Sequence, residues 1–296
     1  MNPITPFTLD VGDGVAIAAY RSTPATPARG VVQIAHGMAE HFGRYASLTA
    51  KLTAAGYAVY GADHRGHGAS AGAHGLGDFG PGGFQALVDD MAALTRVAKR
   101  ETPDVPLALL GHSMGSFAAQ LYLLEHHREL AALVLSGTAA LDKLLEAMLV
   151  SGRPVGLEAL NAPFEPARTP FDWLSRDEAQ VDAYLADPMC GIEIAQASTA
   201  SMFALAGGAR VDPRLAQVRP DLPILILSGG RDPVTGPDQA FARALIDGWR
   251  AGGLTRIDHR VWPDARHELF NETCREEVEG DLIAWLDQAL GGDRAK

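Results

Sequence analysis

At 296 residues, with 47% apolar and 21% charged side chains, the chain has ordinary globular composition, long enough for one large α/β domain or two small ones. A formal net charge of −11 argues against nucleic acid as a partner and leaves no polybasic patch for anionic lipid, since both require a basic face. No apolar run approaches bilayer length, and the opening MNPITPFTLDVGDG lacks the basic and apolar regions of a signal peptide, so the expected location is the cytoplasm. Cys190 and Cys274 lie far apart and fit no metal spacing; without a secretory signal they are expected to be free thiols.

Taken in order, Phe7 to Tyr20 reads as a hairpin, with apolar positions alternating on either side of the turn pair Asp13-Gly14. After a loop marked by Pro24, Pro27 and Gly30, Val31 to Ala35 is a short buried strand that runs into His36-Gly37-Met38-Ala39-Glu40-His41. Arg44 to Ala55 places Tyr45, Leu48 and Leu52 on one helical face and stops at Gly56. Tyr57 to Gly61 is a strand leading into the polar loop Asp63-His64-Arg65-Gly66-His67-Gly68-Ala69-Ser70, and Phe84 to Lys99 is a helix.

The stretch VPLALLGHSMGSFAAQLYLL, Val105 to Leu124, follows. An apolar strand enters Gly111-His112-Ser113-Met114-Gly115 and leaves as a helix, the context in which G-x-S-x-G reads as a nucleophile elbow. A turn this tight holds the serine in a strained conformation, hydroxyl outward at the carboxyl edge of the sheet. The flanking positions must be glycine, because a side chain there would strike the neighbouring strand or helix. Ala131 to Ser136 is the next strand. The alternation so far implies a parallel sheet wrapped by helices on both faces.

From Ala139 to Leu215 the rhythm breaks. Short helical patterns punctuated by Pro154, Pro163, Pro166, Pro170 and Pro188 replace it, too long a stretch for a simple connection. It reads as a helical insertion over the carboxyl edge of the sheet. The expected division is therefore a core of residues 1–138 and 216–296 with a cap of residues 139–215. The sheet pattern resumes with a strand at Pro223 to Ser228, a helix from Pro237 to Trp249, a strand from Ile257 to Trp262 and a last helix from Glu276 to Leu290, with frayed residues from Gly291.

A serine hydroxyl needs a base within hydrogen-bond reach, itself held by a third group. Asp232 lies in the Gly229-Gly230 turn just past its strand, and His267 just past the strand ending at Trp262, giving the chain order Ser113, Asp232, His267. Asp142, after the strand preceding the insertion, is a rival for the acid; Asp232 is preferred because its turn directly follows its strand. His112 points away from its neighbour on a sharp turn and is expected to be structural, and His64 and His67 are expected to be hydrogen-bonded loop residues. The clustered histidines match no zinc motif, so metal catalysis is not expected. Two N–H donors for an oxyanion are expected from Met114, next to the serine, and from Met38, in the loop after the first core strand.

With these pieces in place the sequence resembles the monoacylglycerol lipase and lysophospholipase family of the α/β-hydrolase superfamily. The resemblance rests on His36 to His41 with Arg44-Tyr45, on Asp63 to Ser70, on Gly111 to Gly115, on Arg231-Asp232-Pro233-Val234 and on Arg266-His267-Glu268. It implies an α/β-hydrolase sheet with a helical lid inserted after the strand that follows the nucleophile helix. It also implies a Ser113-Asp232-His267 triad, an oxyanion hole at Met38 and Met114, no cofactor, and a lipid-like monoester as substrate. The lid would carry the acyl channel, for which Leu144, Leu145, Met148, Leu149, Phe164, Phe171, Trp173 and Leu174 are apolar enough, and its apolar face could touch a membrane surface. Met38-Ala39 stands where the lipases show two small residues, and the larger Met38 would narrow the acyl entrance. On the same triad a small-ester carboxylesterase, a thioesterase, an acyltransferase or an amidase is the alternative enzyme. A binding protein that has lost catalysis is the alternative of another kind.

Overall fold

The computed structural model describes residues 3–152 and 156–291. Eight strands form one sheet in the order β1-β2-β4-β3-β5-β6-β7-β8. The hairpin β1 (Thr5–Asp10) and β2 (Ala16–Ser22) is antiparallel, and β2 also pairs antiparallel with β4 (Tyr57–Ala62). From β4 onward, β3 (Gly30–Ala35), β5 (Leu107–His112), β6 (Ala132–Ser136), β7 (Ile224–Gly229) and β8 (Ile257–Trp262) all run parallel. The hairpin turn is built by Asp10 and Asp13, whose carboxylates accept the N–H groups of Gly12 and Val15 at 2.9 and 3.0 Å.

Every residue of β3, β5, β6 and β7 is buried, as strands covered on both faces must be. The period of two divides their side chains between two cores. Val32, Ile34, Ala108, Leu110, Val134, Leu225 and Leu227 meet Leu48 and Leu52 of α1 (Ala46–Ala54) and Val278, Leu282 and Leu286 of α8 (Arg275–Gly291). Val31, Leu109, Leu133, Leu135, Ile224 and Ile226 meet the opposite layer: α2 (Gly83–Glu101), α3 (Met114–His126) and α7 (Ala240–Ala251). Gln33 is the polar exception on the second side. Its amide donates to the Met91 carbonyl at 2.9 Å and accepts the Thr95 hydroxyl at 2.8 Å, so its burial leaves nothing unsatisfied.

Between β6 and β7 the described residues contain no strand, only α4 (Leu141–Ser151), α5 (Glu178–Ala186), α6 (Gln196–Ala206) and short 3-10 helices. This segment leans on the loops past the carboxyl ends of the sheet. Trp173 and Leu174 carbonyls accept the N–H groups of His267 and Glu268 at 3.3 and 2.8 Å, while Tyr184 hydroxyl and Gly191 N–H both donate to the Ala39 carbonyl at 2.9 Å.

Some boundaries differ from the sequence reading. A 3-10 turn, Phe42–Tyr45, precedes α1, because the His41 side chain accepts from the Gly43 N–H and tightens the entry. The helix expected from Pro237 is interrupted: Asp238 and Gln239 have φ of 48° and 64°, and α7 starts only at Ala240. Gln239 is held in that left-handed conformation by its side-chain amide, which donates to the Gly229 carbonyl at 2.9 Å. Gly291 ends α8 rather than opening a frayed tail; Pro154 and the residues after Gly291 lie outside the described residues.

Candidate active site

Ser113 sits between β5 and α3 with φ 51° and ψ −120°, a conformation that L residues rarely adopt. Its N–H donates to the Ser136 carbonyl at 2.9 Å, and its own carbonyl accepts from Ser116 and Phe117, so strand and helix grip the turn from both sides. The steric reason for the two glycines is direct. A Cβ on Gly111 would stand 2.5 Å from the Gly115 carbonyl oxygen, and one on Gly115 would stand 2.2 Å from that of Ala35.

The structure brings Asp232 and His267 together: Oδ2 of Asp232 accepts from Nδ1 of His267 at 2.9 Å, and both side chains are buried. The other carboxylate oxygen accepts the Val234 N–H at 2.9 Å, which fixes the plane of the acid. With Nδ1 donating to the carboxylate, Nε2 is the basic nitrogen of the neutral ring. Burial opposes charge on this imidazole. The Asp232 charge and hydrogen bond, with Glu268 and Glu40 behind them, outweigh it and hold His267 above the ordinary histidine pKa.

Three neighbours wall the ring in. Trp173 and His112 lie with ring centroids 4.7 and 4.6 Å away, and at Gly137, where φ is +57°, a Cβ would approach Cε1 to 2.7 Å. His112 has no carboxylate partner among the described residues. Its Nδ1 meets the Ser136 hydroxyl at 3.2 Å, and burial first, then the nearby His267, push it well below the ordinary value. Asp142 lies on α4 and is held there by the Arg210 guanidinium at 2.8 to 3.0 Å, so it belongs to the helical segment and not to the histidine.

Met38 and Met114 both line the cavity beside Ser113, and among the described residues their N–H groups have no hydrogen-bond partner. The loop carrying Met38 is tightly braced. His36 accepts the His64 N–H on Nε2 at 2.8 Å, which leaves Nδ1 to donate to the Gly37 carbonyl at 2.7 Å. Ala39 takes φ of 56°, and the Glu40 carboxylate receives the Gly37 N–H at 2.5 Å and the Tyr45 hydroxyl at 2.7 Å. His64 and His67 are loop residues as expected, but less fully bonded. His67 donates to the Arg65 carbonyl at 3.1 Å, while Nε2 of each is buried without a partner. Burial keeps both neutral, His67 with its pKa pushed down to about 3.

Above Ser113 opens a cavity of about 780 Å³, the size of a small-molecule site. Of the residues expected to form a channel, only Leu144, Met148 and Phe171 line it. The others are corrected by helical phase and packing. Leu144 and Met148 share a face of α4 with Leu141, which also lines the cavity, whereas Leu149 turns outward and is 65% exposed. Leu145 lies off that face, Trp173 packs on His267, Leu174 is buried, and the Phe164 ring has the guanidinium groups of Arg231 and Arg266 5.6 and 4.6 Å from its centroid. Phe117, Leu160, Ile194, Met202 and Val234 are among the other apolar residues on the cavity wall, which also carries Glu158, Glu193 and Thr199. Sequence periodicity marked these as apolar but carried no signal of which cavity they would face.

Among the described residues, one trio could hold a metal ion: His41, Asp187 and Cys190 place donor atoms within 4.8 Å of one another. It joins the loop after β3 to the helical segment and includes none of Ser113, Asp232 and His267. Its partners are 146 residues apart in sequence, which is why spacing did not reveal it. Both cysteines are free thiols, as expected.

A mostly parallel sheet with helices on both faces and a strained serine at a strand-helix turn defines a serine hydrolase of the α/β-hydrolase superfamily. Residues 26–274 match the family described as serine aminopeptidase, S33, and the chain belongs to that family. Its relatives include monoacylglycerol lipases. The enzyme of that name from Mycolicibacterium smegmatis is 35% identical over 280 residues, covering 92% of this chain and 93% of that protein. The monoglyceride lipase of Mus musculus is 28% identical over 86% of this chain and 83% of its own length. A thermostable carboxyl esterase from Bacillus coagulans, solved in complex with glycerol, superposes with a TM-score of 0.84 at 27% identity, covering 98% of this chain and all of that one. No helix among the described residues is long and apolar enough to cross a membrane.

Proposed function

We propose that this serine hydrolase cleaves lipid-like monoesters, of the kind formed between a fatty acid and glycerol or a glycerophosphate, through a covalent acyl-enzyme. The observation that carries the reading is Ser113 on a strained turn lining a largely apolar cavity of about 780 Å³, in a chain that also holds a buried, hydrogen-bonded Asp232–His267 pair. Ser113 Oγ attacks the ester carbonyl while Nε2 of His267 takes its proton. Asp232 holds the tautomer and stabilises the imidazolium. The oxyanion is received by the N–H groups of Met38 and Met114, which have no competing partner, with the positive end of α3 behind them. As the tetrahedral intermediate collapses, His267 protonates the leaving alcohol. A water deprotonated by the same nitrogen then frees the acid and regenerates Ser113. Every proton is handled by His267, so the cycle needs no cofactor.

In this reading residues 139–215 form the lid and residues 1–138 and 216–296 the core. The acyl chain lies against Leu144, Met148, Phe171 and Met202. Leu149 and Val150, 65% and 88% exposed at the end of α4, give the lid an apolar edge that could rest on a lipid surface. The names of the relatives from Mycolicibacterium smegmatis and Mus musculus support the monoester over a thioester or peptide substrate.

The test is covalent labelling with a fluorophosphonate probe followed by peptide mapping, alongside hydrolysis of a monoacylglycerol. A single adduct on Ser113 and loss of both adduct and hydrolysis in Ser113→Ala are expected. A folded wild-type protein inert to probe and ester would instead indicate a binding protein on the same fold.

A further inference from the structure

Two halves of the proposed transition-state cradle come from opposite ends of the chain. The Met38 donor lies in the loop after β3, and His267 lies after β8. One side chain touches both loops. Arg44 donates through Nη2 to Glu268 Oε2 at 2.7 Å and through Nη1 to Glu268 Oε1, and the same Nη1 reaches Glu40 Oε2 at 3.2 Å. All three side chains are nearly sealed from water, with 10% of Arg44, 3% of Glu40 and 5% of Glu268 exposed. Glu268 follows His267 directly. Glu40 holds the Gly37 N–H, one residue from Met38. The guanidinium also lies 4.9 Å over the Tyr184 ring, whose hydroxyl donates to the Ala39 carbonyl, so the lid segment presses on the same bridge.

We propose that Arg44, Glu40 and Glu268 are positioning residues, a buried carboxylate–guanidinium–carboxylate bridge that fixes the oxyanion loop relative to the histidine loop around Ser113. The inference rests on the hydrolase reading above. The chemistry favours arginine for the task. A planar fork satisfies one carboxylate with two parallel bonds and still has a donor for a second, which an ammonium cannot do in fixed geometry. A purely stabilising role would be served as well by apolar packing, because buried ion pairs carry a large desolvation penalty. What apolar packing would not supply is directional registry between two loops, one of them strained at Ala39 with φ 56°.

The bridge also sets the charge seen by the base. The groups facing His267 are Asp232 past β7, Glu268 on its own loop, Glu40 on the oxyanion loop and neutral His112 at the end of β5, with Arg44 behind the two glutamates. Both glutamates favour the imidazolium, and the guanidinium offsets part of that.

The experiment compares wild type with Arg44→Lys, Arg44→Met and Glu268→Gln, reading kcat, KM and the pH profile of kcat/KM, with circular dichroism and melting as controls for folding. Arg44→Met is expected to lower kcat by about 10- to 100-fold with KM within about twofold, the penalty of a misplaced reacting group, and Arg44→Lys is expected to recover only part of it. Glu268→Gln is expected to move the acid limb of kcat/KM to lower pH, because it removes a negative charge that favours the protonated base. A folded Arg44→Met with wild-type kcat, or a loss confined to KM, overturns the proposal. If Arg44→Met does not fold, Glu268→Gln decides it: an unmoved acid limb with unchanged kcat overturns it equally. A wild type that neither hydrolyses esters nor labels at Ser113 would be a failure of the hydrolase reading itself, seen before any variant is compared.

Discussion

His267 concentrates the physics of the site. It is buried, which alone would lower its pKa, yet the paired Asp232 and the two glutamates behind it raise the pKa above the ordinary value of about 6.5. The acid limb of kcat/KM is therefore expected above pH ~6.5, the sign opposite to that of an unpaired buried histidine. Asp232→Asn should remove the strongest influence opposing burial, shift that limb downward and reduce kcat by on the order of 10³- to 10⁴-fold, as loss of the acid does in comparable triads. A pH–rate profile of both proteins checks it. Gly137→Ala offers a second handle. Its Cβ would stand 2.7 Å from Cε1 of His267 at a φ of +57°, so kcat should fall although no functional group is removed. At this scale the sequence was most informative. Ser113, Asp232 and His267 each lie just past a strand readable from the sequence, and their order along the chain limits the choice. Glu40, Arg44 and Glu268 stand in the motifs that carry the resemblance, but nothing in the sequence says that they meet, since Arg44 and Glu268 are 224 residues apart.

The elements show where periodicity suffices and where it stops. An apolar strand or an amphipathic helix must bury one known face, so β3, β5, β6 and β7 and helices such as α2 could be placed from pattern alone. Asp238 and Gln239 break the seventh helix through a side-chain bond to a carbonyl ten residues back in sequence, which no local pattern encodes. The helices between β6 and β7 were harder still. Leu144 and Leu145 are equally apolar, yet only Leu144 lines the cavity, because the phase of α4 is set by what it packs on. Filling the cavity from α6 should shorten the chain it accepts. Met202→Trp is expected to move the preferred acyl length downward with little change toward the shortest esters, read from relative kcat/KM across a series of chain lengths. An unchanged profile would mean that the acyl chain does not run past α6.

Across the whole molecule, stability resides in the two cores that the sheet separates. Leu282, fully buried between α8 and the sheet, should contribute strongly, and Leu282→Ala is expected to destabilise by about 2–5 kcal/mol in denaturant unfolding while leaving the site geometry intact. Acid sensitivity is expected too. His36, His64, His67 and His112 are buried with pKa values lowered by desolvation, so they bind protons less readily folded than unfolded. Their contribution is intact above the unfolded pKa of about 6.5 and is lost as pH falls below it; His267, raised instead, offsets part of this, and stability should decline on acidification. The overall architecture was legible because a parallel sheet demands alternation of strand and helix, and the interruption after β6 stood out against that rhythm. What the interruption encloses was not legible, because a cavity is a property of packing.

The most direct test of the account is the release of p-nitrophenol from esters of graded acyl length, wild type beside Ser113→Ala. Activity that depends on Ser113, falls by at least about 10⁴-fold in the variant and extends to long chains is the expected result for a monoester lipase with an apolar cavity over its nucleophile. Turnover that survives in Ser113→Ala, or that is confined to acetate and butyrate, would contradict it, the first by removing the nucleophile and the second by removing the lipid substrate.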